Sequence, residues 1–446
     1  MTRKRRIALA WILLACGISI GWGFSVGQAT SWWVDYKAIY YGTRCLLEHH
    51  NPYKVSELES FYHAEGGEHP SETVPAHQAV VLYVNLPTTF IVVTPFAMLP
   101  FGPAHVLWMA LTAGLFTLAA LLMWDLAATY APGISLFLLC ILLANCEMIF
   151  SGGNTAGIAV SLCVVAVWCF LRERFVAAGI LCMALSLAIK PHDAGLVWLY
   201  FLLAGGVYRK HALQTLFITA VLGLSAFLWV SHVAPHWIED WQSNLTAISG
   251  PGGINQPGPD SLTGRSSAVV VDLQAAISVF RDDPRIYNPA SYLFCGALLI
   301  AWAARTLWSK FSIAAAWMAL AAVVPLTMLV TYHRPWDAKL LMLTVPACAL
   351  LWAKNGPIAR VALLVSSLGM FFTGDIPLAI LSLVSKPLHI STAGLVGKML
   401  ILVMNRPASL VMLAMGIFYL WVYLRRADPD TANGMAPAVS ARSEPA

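Results

Sequence analysis

Apolar runs recur along the whole chain, with short polar breaks between them. They lie at about 7–26, 103–124, 133–150, 155–171, 175–189, 194–207, 212–231, 290–308, 312–331, 338–353, 358–374 and 407–424. A helix needs about 20 predominantly apolar residues to cross the hydrocarbon of a bilayer. The pattern therefore predicts an all-α polytopic membrane protein with about 12 transmembrane helices. The shorter runs are expected to extend into flanking residues. One stretch departs from the pattern: "NLPTTFIVVTPFAMLP", 85–100, is apolar but broken by Pro87, Pro95 and Pro100. It is read as a juxtamembrane or re-entrant pair packed against protein, where interrupted backbone is tolerated. Residues 376–385 receive the same reading.

Basic residues orient these runs. Lys and Arg accumulate on the cytoplasmic side of membrane proteins. Arg3–Arg6 puts the N-terminus inside, and Arg172 with Arg174, Arg209 with Lys210, Arg305 with Lys310, Lys354 with Arg360, and Arg425 with Arg426 mark later inner turns. The opposite side then collects the outer loops 27–102, 232–289 and 375–406. It also collects "SGGN" at 151–154, "KPHD" at 190–193 and "HRPWD" at 333–337. The inner turns are short and chemically poor, so a functional site is expected on the outer face. Residues 1–426 form the transmembrane domain in this reading, and the tail 427–446, without apolar periodicity, is expected to be a disordered cytoplasmic segment.

Composition agrees with the pattern and narrows it. Of 446 residues 59% are hydrophobic and 11% charged, against about 25% charged in soluble domains. The net charge of +5 is modest and forms no basic run beyond the N-terminus, so nucleic acid is not an expected partner. The opening "MTRKRRIALAWILLACG" resembles a signal peptide, but its apolar run continues to about Phe24. That length favours an uncleaved first helix. The nine Cys show no pairing pattern and no metal-ligand spacing. His49, His50, His63, His69 and His77 lack regular spacing, so no metal is assigned to them.

Candidate chemistry gathers at four places. Asp35 follows Trp32 and Trp33 at the exit of the first helix. It is either an interfacial charge or a carboxylate placed to take a proton from a hydroxyl. Tyr36 and Tyr40 follow within two turns, as an aromatic belt or as a lining for sugar rings. "SGGNTAG" reads as a tight turn that opens a helix, with Asn154 beside an anion-favouring N-terminus. In "IKPHD", Lys190 at a helix end either snorkels or, with His192, meets a lipid phosphate as a point charge. "YHRPWDAKLL" is the densest polar cluster, with His333, Arg334, Asp337 and Lys339 within seven residues. Charges at such depth point to function, and an internal Arg334–Asp337 pair is the plainer alternative. In the loop 232–289, "SHVAPHWIEDWQSN" reads as an amphipathic surface helix. Asn244-Leu245-Thr246 there matches a glycosylation triplet.

Four blocks resemble a known family. "DYKAIYYGTRCLLEHHNPY", "NLPTTFIVVTPFAMLP", the central block from "SGGNTAG" through "AIKPHD" to "GGVYRK", and "YHRPWDAKLLMLTVP" together resemble the GT87 glycosyltransferases. Together they cover about 40–355, and the first block opens with Asp35. Family members commonly carry Gln where this chain has Asn154. The resemblance implies a GT-C-type fold with juxtamembrane helices in the first outer loop. It implies an inverting transfer of a sugar, typically mannose, from a polyprenyl-phosphate donor to a hydroxyl of a lipid or glycan acceptor. Asp35 would be the general base, and Lys190, His192, His333 and Arg334 would bind the donor phosphate. Tyr36, Tyr40, Asn154 and Asp337 would contact substrate. The donor lacks the pyrophosphate that usually calls for a metal, so no cofactor and no metal are implied. The implied location is the bacterial inner (cytoplasmic) membrane, with the site facing the periplasm or outer side. The competing readings are a transporter or lipid flippase without covalent chemistry, and a non-catalytic scaffold.

Overall fold

A computed structural model describes residues 3–30, 33–65, 67, 82–250, 253–258, 270–377, 379–380 and 394–425. The segment expected to form a cytoplasmic tail, together with Trp32, His69 and His77, lies outside these residues. The described residues are helices, turns and connecting coil, with no strand among them. Helices α1 (Arg3–Thr30), α5 (Phe101–Ala127), α11 (Gly206–Val233), α14 (Pro284–Trp308), α15 (Ile313–Val330) and α19 (Pro407–Arg425) are long and apolar enough to cross a membrane. The chain is a multi-pass membrane protein. Between them run the shorter helices α6 (Pro132–Leu143), α7 (Glu147–Gly152), α8 (Ala156–Arg172), α9 (Val176–Ile189), α10 (Pro191–Ala204), α16 (Val345–Ala353) and α17 (Pro357–Phe372). Every run expected to span has a helical counterpart, although six meet the length and composition for crossing by themselves.

Burial separates the central helices from the lipid-facing ones. Residues Ala316 to Leu329 of α15 are all buried, while only 11% of the apolar window of α11 is. Lipid tails are as apolar as Leu, so helix association here rests on close packing and interhelical hydrogen bonds. Gly416 lets α19 approach α15: a Cβ there would come within 2.8 Å of Leu326. Trp302 donates to the Ala319 carbonyl at 3.0 Å, and Ser186 to that of Ala159 at 2.6 Å. Each bond removes a polar group that lipid could not satisfy.

The first outer loop folds into α2 (Val34–Leu47), α3 (Val55–Ala64) and α4 (Thr88–Ala97). The segment expected as a re-entrant pair is a single helix of ten residues, α4, with Pro95 inside it and Pro100 just before α5. At 1.5 Å per residue it rises about 15 Å, half the hydrocarbon thickness. The second outer loop contributes α12 (Trp237–Ser249) and α13 (Leu273–Ser278), and the third α18 (Gly394–Asn405). The amphipathic α12 does not lie free on a surface. Trp237 packs on Tyr53 at 5.5 Å between ring centroids, and Trp241 donates to the Val84 carbonyl at 2.9 Å. Asn244 is buried and donates to the carbonyls of Tyr53 and Tyr83 at 2.8 and 3.1 Å. Its amide is a clamp between loops, which removes it as a glycosylation acceptor in the folded chain.

Ion pairs gather three helix ends on one side of the bundle. Asp125, near the end of α5, pairs with Arg5 at the start of α1 and Arg172 at the end of α8. These are the basic turns expected inside. The starts of α5 and α8 lie at the other end, where Phe101 touches Tyr36 and Asn154 touches Asp35.

Candidate functional site

The site begins at the first turn of α2. Asp35 sits there, where the exposed N–H groups of a helix start favour a negative side chain. It is partly buried beneath the α7–α8 turn. That turn needs glycine: Gly153 has φ 66°, and a Cβ on it would meet the Tyr36 Cβ at 2.7 Å. Trp108 holds the turn by donating to the Gly153 carbonyl at 3.1 Å. Asn154 then bridges two elements. Its Nδ2 donates to Asp35 Oδ2 at 2.8 Å, and its Oδ1 accepts the Ala156 N–H of α8 at 2.8 Å. The amide flip is fixed by that second bond, because a backbone N–H can only donate.

Burial raises the Asp35 carboxyl above the usual carboxylate range. The Asn154 hydrogen bond and the charges of Arg334 and Lys190 oppose that rise, and Asp337 adds to it. These charges come from the α9–α10 junction and the segment after α15. Three parts of the chain far apart in sequence thus act on one carboxylate.

At the α9–α10 junction the helix breaks at Lys190, because Pro191 cannot donate and starts a new helix as its first residue. Lys190 does not snorkel. Its Nζ donates to Asp337 Oδ1 at 2.5 Å, with side chains 11% and 0% exposed. The Arg334 N–H donates to Asp337 Oδ2 at 2.8 Å. The plainer alternative, an Arg334–Asp337 side-chain pair, is not what forms: Asp337 binds the backbone of Arg334 and the ammonium of Lys190.

The guanidinium of Arg334 turns to the loop after α12. It donates to the Ile254 carbonyl at 3.1 Å, to Asn255 Oδ1 at 2.8 Å and to the Tyr332 hydroxyl. It also lies 5.2 Å from the Trp336 ring centroid. Lys339, from the same motif, leaves the cluster and donates to the Thr373 carbonyl at 3.0 Å.

His333 is 1% exposed and His192 40%. Their rings lie 5.0 Å apart, and each Nε2 stands 3.6 Å from Asp193 Oδ1. The donor atoms of His192, Asp193 and His333 all fall within 4.8 Å of one another, the one such metal-competent group among the described residues. Asp193 was not singled out from sequence. Its signal was present all the same: an acidic residue at the start of an apolar helix, which in a membrane protein points to function.

Three residues expected to contact substrate are engaged with the protein itself in this structure. Tyr40 is fully buried and donates to the Leu99 carbonyl at 2.7 Å. Tyr36, equally buried, packs its ring against Phe101, His105 and Trp108 at 5.3–5.6 Å. Both are core of the α2–α5 contact. Asp337 is fully buried, and its oxygens are taken by Lys190 and Arg334. Asn154 touches the carboxylate rather than lying in the open. Asp35, Lys190 and His192 retain exposure at the opening of the cluster.

A helical membrane protein with a carboxylate and paired cations at one end of its bundle has the makings of a transferase for membrane-borne substrates. The family model for glycosyltransferase family 87 matches residues 83–331, more than half of the chain. The chain belongs to glycosyltransferase family 87 and is a glycosyltransferase. The matched stretch contains Asn154, Lys190, His192 and Asp193, while Asp35 lies before it and His333, Arg334 and Asp337 just after it. No curated protein and no solved structure matches the chain.

Proposed function

We propose that the protein moves a sugar, mannose by preference, from a polyprenyl-phosphate donor to a hydroxyl of a lipid or glycan acceptor, with inversion, at the outer face of a bacterial inner membrane. The bundle would have about twelve spans in a GT-C-type arrangement, with the site at outer-leaflet level. Asp35 is the general base. It takes the acceptor hydroxyl proton while the acceptor oxygen attacks the anomeric carbon, and the bond from that carbon to the phosphate oxygen breaks. The electron pair leaves with the polyprenyl phosphate. Positive groups already in place stabilise the charge that develops on it, without reorganisation during the step. Lys190 suits this best, because its ammonium has three donors and Asp337 takes one. Arg334 contributes charge at longer range while it fixes the loop at Ile254 and Asn255.

The observation that carries the reading is the Asp35–Asn154 bond within reach of the Lys190 and Arg334 charges. The test uses the full-length protein in vesicles, with polyprenyl-phosphate mannose and candidate lipid or glycan acceptors, read by mass spectrometry. An acceptor that gains one hexose supports the reading. Movement of donor lipid between leaflets with no covalent change overturns it in favour of a flippase.

A further inference from the structure

Asp193 is fully buried, yet neither carboxylate oxygen accepts a hydrogen bond. Facing it is His333 Nε2, buried and equally without a partner. The other ring nitrogen of His333, Nδ1, lies 2.8 Å from the Thr331 carbonyl oxygen. A carbonyl only accepts, so Nδ1 carries the proton and Nε2 presents its lone pair to Asp193. His192 Nε2 approaches the same carboxylate oxygen at the same 3.6 Å. Three side-chain atoms able to give an electron pair thus converge on one place, two of them buried and the third, on His192, at the exposed rim. A buried carboxylate calls for positive charge beside it, and a cation where the three atoms meet would supply it.

The spacing indicates what kind of charge. A shared proton draws two heavy atoms to about 2.7–3.0 Å. Two ligands at about 2.0–2.2 Å from one tetrahedral cation stand ~3.4 Å apart, close to the 3.6 Å seen twice here. The Thr331 carbonyl supplies the outer hydrogen bond that metal-bound imidazoles usually have.

We propose that His192, Asp193 and His333 form a divalent-cation site of two imidazoles and one carboxylate, suited to zinc. Three protein ligands leave a coordination position open. It lies on the side of His192, the exposed member, where a water or a phosphate oxygen can enter. Only that last role, beside Lys190, rests on the glycosyltransferase reading; cation binding itself does not.

The experiment takes untagged full-length protein in detergent, stripped with EDTA and reloaded with Zn2+, with bound metal measured by mass spectrometry. Co2+ loading provides a visible spectrum. The expected result is one Zn2+ per chain, with a tetrahedral Co2+ spectrum. Asp193→Asn and His333→Ala should each weaken uptake more than about tenfold, at least the loss that removing an outer-shell partner brings. His192→Ala, at the exposed rim, should do the same in a chain that keeps its melting temperature. His50→Ala, remote and half-exposed, should change nothing. No uptake by the wild type, or equal uptake by wild type and the three ligand variants, overturns the site. Sugar transfer assayed in parallel separates the two proposals. Zn2+ uptake without transfer leaves the cation site standing and removes the sugar reading, and transfer without uptake does the reverse.

Discussion

Two acid–base clusters sit at opposite ends of the same helices, and they are built differently. At the end expected to be inner, Asp125 meets Arg5 at 2.5 Å and Arg172 at 3.1 Å, with side chains 31%, 49% and 38% exposed. At the other end, past the roughly 40 Å rise of α5, Asp337 meets Lys190 with almost no exposure. The partners are of the same kinds, but the solvent differs. Exposed pairs are screened and lose side-chain entropy, so they contribute little. Buried pairs must each satisfy the other, because neither can fall back on water. The inner cluster anchors an orientation. The outer one holds charge at positions where water cannot redistribute it, as charge stabilisation in a reaction requires.

The largest expected difference between the ends is in activity. Asp35→Asn keeps the shape and the contact with Asn154 but cannot take a proton. General-base catalysis is worth about 10²–10⁴-fold, so transfer should fall by that factor while the melting temperature holds. A variant with unchanged transfer would remove Asp35 from the mechanism.

Stability comes next. Lys190→Met leaves Asp337 buried without its cation, a loss of about 3–5 kcal/mol when one member of a buried pair is removed. Thermal unfolding in detergent should show it as a large drop. A loss no greater than that from an exposed pair would mean that water reaches Asp337 and that the two ends are alike after all.

Asn154→Ala probes the carboxylate itself. Burial already places the Asp35 carboxyl above the ordinary value of about 3.9, and the Asn154 bond works against that rise. Without the bond the carboxyl rises further. A base must be ionised, so the acid limb of the transfer profile should move to higher pH in this variant. Stability has the opposite sign. A raised folded pKa means that the folded chain holds the proton better, so this contribution is present at low pH and lost as pH rises through the folded value. An acid limb that stays put would mean that Asp35 is not the titrating base.

The sequence and the structure agree most where one physical rule acts alone. Hydrophobic length decides α1, α5, α11 and α15, and they lie where the apolar runs predict. The three prolines of 85–100 likewise foretell that α4 is too short to span. Agreement ends where tertiary contacts choose. The run expected at 133–150 breaks at Ala144–Cys146 without any Gly or Pro. Asn145 there donates to Ile141 and accepts from Ile376, while Asp375 caps Glu147 from the third outer loop. No local signal encodes those partners. Within the site, the shared face of Asp35, Lys190 and His333 is readable from topology. Whether Tyr36 and Tyr40 line or pack is not, because both uses ask for the same residue types at the same spacing. Asp193 stands out little from its neighbours in sequence, because the helix break at Pro191 already accounts for the polar residues around it.

Gly153→Ala tests how tightly the turn beside Asp35 is fitted. The new Cβ would need φ 66° and would meet Tyr36 at 2.7 Å. Left-handed backbone at a non-Gly residue costs about 1–3 kcal/mol, and the clash adds to it. Gly152→Ala is the control, since its Cβ would find Asp35 Oδ2 at an ordinary 3.4 Å. Equal melting temperatures for the two variants would show that the turn has room, and that Asn154 is not held by it.

The smallest effect belongs to the inner end. Asp125→Asn removes the charge that Arg5 and Arg172 share. Both arginines can return to water or lipid phosphates, so the expected cost is about 0.2–1 kcal/mol, with transfer unchanged. Salt should separate the two ends further. Raising it from 0.1 to 1 M shortens the screening length from about 10 Å to about 3 Å. That weakens the Asp125 pairs and leaves the buried Lys190–Asp337 contact nearly as it was. Salt should therefore shrink the stability gap between wild type and Asp125→Asn, and leave that between wild type and Lys190→Met in place. If both gaps shrink together, the outer cluster is as wet as the inner one, and a preorganised charge site there is excluded.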